Sequence, residues 1–201
     1  MASASAVRYW AVIPAAGGGT RMNSPQAKQY LPLRGRALLE WTLAPFLHAE
    51  WIDAVVVVLA RQDSEFATLP VARHPKIVVT SGGGLRAESV LAGLQAVASR
   101  STAFAAVRVL VHDAARPCVQ RVDLERLRDE ADDEHGGILA LPVVDTLKRA
   151  QQNRIAETVD RSQYWRAQTP QLFGLQPLIA ALQAGIAQTR DLTDEASAIE
   201  H

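Results

Sequence analysis

Four short apolar runs, YWAVIP, AVVVVLA, KIVVT and VRVLVH, recur over the first 112 residues, and helical periodicity fills much of the sequence between them. A strand with one wet face alternates apolar and polar residues. These runs do not alternate, so each needs cover on both faces. Helices can supply it: ALLEWTLAPFLHA follows the first run, and the segment from Arg86 to Ser99 places Val90, Leu91, Leu94, Val97 and Ala98 on one stripe. Alternating strand and helix predict a doubly wound α/β fold with a mostly parallel sheet, right-handed crossovers and the four runs as central strands. VDLERLRDEADDEH adds a helix with a charged outer face, and GGILALPV a further strand.

From Asp145 the rhythm changes. DTLKRA, the polar break QQNR and IAETVD read as two extended segments around a hairpin turn, a protruding β-arm over about residues 143–166. QTPQ, from Gln168 to Gln171, reads as a turn carrying a hydroxyl. LQPLIAALQAGIAQ resumes helical spacing, and LTDEASAIEH starts a last helix with Thr193 or Asp194 as its N-cap.

With 201 residues, 48% of them hydrophobic, one domain spanning 1–201 is expected. Lys and Arg total 21 and Asp and Glu total 21, so no global field favours nucleic acid or an anionic membrane, and the ligand should be small. The single Cys118 excludes an internal disulfide framework and a cysteine-based zinc site, and fits the reducing cytoplasm; it reads as a small packed residue. No apolar run approaches the ~20 residues of a membrane-spanning helix, and MASASAV lacks the regions of a signal peptide.

Ligands of open α/β sheets bind beyond the carboxyl ends of the strands, where three loops stand out. The first, AAGGGTRM, lets backbone N–H groups converge on phosphate oxygens, with Arg21 and Lys28 downstream to neutralise them. It lacks the ending of a P-loop and the third glycine of a dinucleotide fingerprint, and could also be a tight turn with solvated cations. The second, SGGGLRAES, offers amides and the Ser89 hydroxyl, which suit the polar edge of a nucleobase, though taken alone it reads as a glycine turn with a helix-start serine. In the third, HDAARP, Asp113 can meet a metal or a ligand hydroxyl and Arg116 an anion, or Asp113 could cap a helix or turn and pair with Arg116. No nucleophile–base pair is indicated, and His112 has no companion at metal-ligand spacing.

The ordered set PAAGGGTRM, PQAKQY, SGGGLRAESV, VLVHDAARPC, PVVDTLKR, TVDR, TPQLF and TDEAS resembles the 2-C-methyl-D-erythritol 4-phosphate cytidylyltransferases of non-mevalonate isoprenoid biosynthesis. The resemblance implies a Rossmann-like nucleotidyltransferase fold, Mg2+ and CTP, a methylerythritol phosphate co-substrate and a homodimer clasped by the β-arm. It assigns Ala15, Ala16, Gly17, Gly18 and Gly19 to the CTP triphosphate, with Arg21 and Lys28 as catalytic cations. Gly83, Gly84 and Ser89 fall to the cytosine. Asp113, Arg116, Thr169 and Thr193 fall to the polyol hydroxyls, with Asp113 also approaching the metal, while Thr146 and Arg161 reach the polyol phosphate of the neighbouring subunit.

The chain departs from that pattern twice. Gly84 stands where family members often carry an acidic residue, which leaves base contacts there to the backbone. Family members usually continue past TDEAS into a strand with an Asn-Ile-Lys-type motif and a last helix, so these two elements are expected to be missing here. Two alternatives remain open at this stage: a ribitol 5-phosphate cytidylyltransferase, or a catalytically impaired CTP-binding protein.

Overall fold

The computed structural model describes residues 6–17, 26–101, 104–132 and 134–200. The chain runs through β1 (Arg8–Pro14), the short pair β2 (Pro32–Leu33) and β3 (Arg36–Ala37), α1 (Leu38–His48), β4 (Ile52–Leu59), β5 (Ile77–Ser81), α2 (Arg86–Ala98), β6 (Val107–Val111) and α3 (Arg121–Glu130). It continues through β7 (Gly137–Pro142), the hairpin of β8 (Leu147–Gln151) and β9 (Arg154–Val159), then β10 (Trp165–Gly174), α4 (Leu175–Ala187) and α5 (Glu195–Ile199).

The main sheet has the order β5-β4-β1-β6-β10-β7. β4 and β6 lie parallel on either side of β1, and β5 lies parallel to β4. β10 runs antiparallel to both β6 and β7. Side chains of a strand alternate between faces, and here each face has its own core. Ala11 and Ile13 of β1 join Val55 and Val57 of β4 and Leu110 of β6 against α1 and α3. Trp10 and Val12 join Val56, Val58 and Val109 against α2 and α4. This double cover explains why the runs are apolar throughout.

Three expectations need correction. KIVVT is an edge strand, with Val79 half exposed, because among the described residues no strand lies beyond β5 in the sheet. QTPQ lies inside β10, where the register with β7 slips between Ala167 and Gln171. Proline supplies no ladder donor, and the slip accommodates Pro170 where none is required. The Thr169–Pro170 peptide is cis. The β8–β9 hairpin forms as expected, turning at Gln152 and Asn153, both with positive φ. Cys118 is exposed and not packed.

Gly93 lets α2 approach the sheet closely: a Cβ there would lie 2.5 Å from Val12 Cγ1 and 2.9 Å from Val58 Cγ2. Branched valines in a filled core cannot swing aside, so Gly93→Leu is expected to destabilise the fold by about 1–3 kcal/mol. Thermal unfolding should show a midpoint several degrees lower; an unchanged midpoint would contradict this packing.

Candidate active site

The chain leaves β1 toward β4 and β5 on one side and returns as β6 on the other. Such a reversal opens a crevice at the carboxyl ends of the two central strands. The first loop starts there, with the Ala15 amide donating to Val58 O at 2.7 Å. Ala15 is buried, Ala16 half-buried and Gly17 exposed, with nothing within 4 Å of the place a Cβ would occupy. Gly18, Gly19 and Arg21 lie outside the described residues. The helical turn Lys28–Tyr30 is anchored at two points. The buried Gln29 donates from Nε2 to Ala15 O at 2.8 Å, and the Tyr30 hydroxyl donates to Asp63 Oδ2 at 2.6 Å. Burial and then Asp63 raise the Tyr30 pKa, which keeps that proton in place. Lys28, just before these anchors, is exposed and has no partner among the described residues.

The second loop touches the first. A Cβ on Gly82 would fall 2.6 Å from Ser89 Oγ and 2.8 Å from Ala16 Cβ, so only glycine allows the loops to approach this closely. Gly83 and Gly84 are exposed, whereas Ser89 is buried with its hydroxyl directed at Leu85 O (3.1 Å) and Gly83 O (3.4 Å). Ser89 thus braces the loop from below.

Arg86, in the first turn of α2, joins the second loop to the third. Its Nη1 and Nη2 donate to Glu195 Oε1 (2.6 Å) and Oε2 (3.2 Å), while Nε and Nη2 also reach Asp113 Oδ1. Asp113 Oδ2 accepts from Arg116 Nε at 2.9 Å, and Arg116 Nη1 donates to Gln168 Oε1 at 2.6 Å. Burial pushes the Asp113 carboxyl up, but Arg86 and then Arg116 outweigh it and hold the pKa below the ordinary aspartate value. Burial likewise opposes the Arg86 charge, and the carboxylates of Glu195 and Asp113 prevail and raise its pKa. Burial lifts the Glu195 carboxyl, with Arg86 pulling against it.

His112 is fully buried beneath this cluster. Its Nε2 lies 3.0 Å from Arg116 O and its Nδ1 lies 2.8 Å from Thr169 Oγ1, which also accepts from the Asp113 amide at 3.2 Å. Burial lowers its pKa from 6.5 to about 4. The unfolded chain therefore binds this proton more tightly than the folded one. The associated stability is complete above about pH 6.5 and is lost as pH falls toward 4, about 3 kcal/mol in all. Denaturant unfolding is expected to show falling stability across that window and a flatter profile for His112→Asn; parallel profiles would contradict the assignment.

The described residues hold no group of three His, Cys, Asp or Glu able to cage a metal. Both oxygens of Asp113 face guanidinium groups, so this carboxylate does not fit the expected metal role.

A family model for IspD, 2-C-methyl-D-erythritol 4-phosphate cytidylyltransferase, matches residues 9–201. The chain belongs to the 2-C-methyl-D-erythritol 4-phosphate cytidylyltransferase family. It is similar to the protein of that name from Tolumonas auensis, at 49% identity over 96% of this chain and 82% of the relative. It is 48% identical to that from Cronobacter sakazakii, over 95% and 80%. Among solved structures, a 4-diphosphocytidyl-2C-methyl-D-erythritol synthase superposes with a TM-score of 0.81 at 40% identity, covering 96% of this chain and 84% of that one. The Francisella tularensis cytidylyltransferase superposes with a TM-score of 0.80 at 33% identity, covering 96% and 85%.

Of the residues that resemblance to the cytidylyltransferases singled out, Asp113, Arg116 and Thr169 meet in one hydrogen-bonded cluster, and Ser89 sits under the glycine loop beside it. Thr193 is exposed and directly precedes Asp194, the N-cap of α5. Thr146 and Arg161 are exposed at the base of the hairpin, where Arg161 donates to Val144 O. Among the described residues, neither bonds to the Asp113 cluster of its own chain. Sequence reasoning missed Arg86, Glu195, Gln29 and Gln171, which donates to Asp194 Oδ2 and accepts from the Ala196 amide to fix α5. One signal was available: an arginine in the first turn of a helix opposes the macrodipole and calls for nearby carboxylates.

Proposed function

We propose that the chain transfers CMP from CTP to 2-C-methyl-D-erythritol 4-phosphate, giving 4-diphosphocytidyl-2-C-methyl-D-erythritol and pyrophosphate. The observation that carries this reading is the convergence of two touching glycine loops, an anchored Lys28 without a partner among the described residues, and the Asp113–Thr169 cluster at one sheet edge. In the family chemistry a phosphate oxygen of the polyol phosphate attacks the α-phosphorus, and the bond to the bridging oxygen of pyrophosphate breaks. The attacking monoester has a second pKa of ~6 and is mostly dianionic at neutral pH, so no general base is required. Positioning and charge neutralisation supply the catalysis.

In this reading the loop from Ala15 to Gly19 receives the triphosphate, with Ala15 anchoring its start through the amide bond to Val58 O and the amides of Ala16, Gly17, Gly18 and Gly19 turned to the phosphates, and Arg21 and Lys28 oppose the charge that develops there. Gly83 and Gly84 contact the cytosine through backbone groups, with Ser89 holding their loop. Asp113, Arg116, Thr169 and Thr193 orient the polyol. Mg2+ enters with CTP, bound by phosphate oxygens in the manner usual for this ion. The chain acts as a single nucleotidyltransferase domain, and its arm carries Thr146 and Arg161 to the polyol phosphate of a second copy. Exposed Ile155 and Trp165, on and beside the hairpin, support such a contact. The single cysteine fits a cytoplasmic setting, and among the described residues no helix is long and apolar enough to cross a membrane.

Pyrophosphate release from Mg2+ and CTP is expected with methylerythritol 4-phosphate and not with ribitol 5-phosphate; the reverse result would move the assignment. Lys28→Ala should lower kcat by roughly 10²–10³, the scale of a lost transition-state donor, with the unfolding midpoint unchanged. Mixing inactive Lys28→Ala with inactive Arg161→Ala chains should restore turnover, since one mixed site combines an intact core with an intact arm. No recovery on mixing would confine the arm to its own subunit.

A further inference from the structure

The hydrogen bonds around His112 leave its ring only one neutral arrangement. Arg116 O can only accept, so Nε2, at 3.0 Å, carries the ring proton. Nδ1 then presents a lone pair to Thr169 Oγ1 at 2.8 Å, and the Thr169 hydroxyl must spend its single proton there. The Asp113 amide occupies one of the two oxygen lone pairs. One lone pair remains, on a half-buried side chain that opens onto a cavity of about 820 Å³ shared with Arg116 and Gln168. His112 is fully buried at the wall of the same cavity. The opposite tautomer would set the Nε2 lone pair against the Arg116 carbonyl.

We propose that His112 is a positioning residue that makes Thr169 an obligate hydrogen-bond acceptor, so that the pocket takes a substrate hydroxyl there and rejects a carbonyl oxygen. The proposal rests on the reading above that Thr169 faces the polyol. A hydroxyl donates to the remaining lone pair. A carbonyl oxygen at the same point meets it with a lone pair of its own, and a site built for a hydroxyl discriminates strongly against a group that cannot pair.

The test is a mutant cycle read with methylerythritol phosphate and CTP. His112→Gln keeps a donor for Arg116 O but offers Thr169 no acceptor at the Nδ1 position, whereas His112→Asn places an amide oxygen near it. His112→Gln and Thr169→Val are each expected to raise KM for the polyol phosphate roughly tenfold, the scale of one lost hydrogen bond. The double variant should match Thr169→Val alone, because both changes remove the same interaction. KM for CTP should hold steady, and His112→Asn should recover most of the loss. Multiplying effects in the double variant, or an equal rise in KM for CTP, would overturn the proposal.

If His112→Gln does not fold, substrate analogues read the same point in the unaltered protein. One keto analogue should be turned over less well than the matching deoxy analogue, and Thr169→Val should abolish that difference. Equal use of the two at every position would overturn the proposal. Failure of the functional reading is separate, because the unaltered protein would then release no pyrophosphate with methylerythritol phosphate.

Discussion

Arg86 carries the interaction on which the site depends. Its guanidinium holds the buried Glu195 carboxylate of α5 with two hydrogen bonds and still reaches Asp113 beyond β6, so segments more than 100 residues apart meet at one side chain. The planar fork of arginine suits this task and the single ammonium of lysine would not. A buried charge that loses its partner costs far more than the pair contributes. The cluster is therefore a strong constraint on geometry even where its net contribution to stability is small. Asp113, flanked by two arginines, stays ionised, and its remaining lone pairs accept from whatever hydroxyl reaches them.

Around that cluster the residues divide by solvent access. Gln29, Tyr30, Ser89, His112 and Gln171 are buried, and each spends its polar atoms on protein partners that fix a loop or helix start. Gly17, Lys28, Gly83, Gly84 and Thr193 are exposed in front of them. The chain thus presents donors and cations whose supports are already satisfied, which is what catalysis by positioning requires. Lys28 shows the arrangement most clearly: its neighbours tie the turn to the first loop and to Asp63, and its own side chain is exposed with no partner among the described residues.

Reading the sequence recovered the elements whose hydrophobic pattern is their own. The apolar strands, the stripe of α2 and the hairpin turn at Gln152 and Asn153 all follow from local spacing and turn chemistry. β10 was missed because RAQTPQLF mixes polar residues with a proline, and only its pairing with β6 and β7 makes it a strand. The edge position of β5 was not legible, since strand order depends on contacts between distant segments. In the site, residues that follow a strand end were visible: the glycine loops, Asp113 and Arg116. Arg86, Glu195 and Gln29 were not, because each acts through a partner far along the chain. Thr169 came only through resemblance to the family, and His112 looked inert until the neighbours of its ring were known.

The most direct test of this account is the unfolding free energy of Arg86→Leu, Glu195→Leu and the double variant. Arg86→Leu should cost about 3–5 kcal/mol, because it leaves the buried Glu195 carboxylate without its partner; Glu195→Leu should cost less, because Arg86 keeps Asp113, and the double variant should recover most of the Arg86→Leu loss. Losses that simply add, or single variants as stable as the parent, would contradict the claim that this ion pair holds the site together.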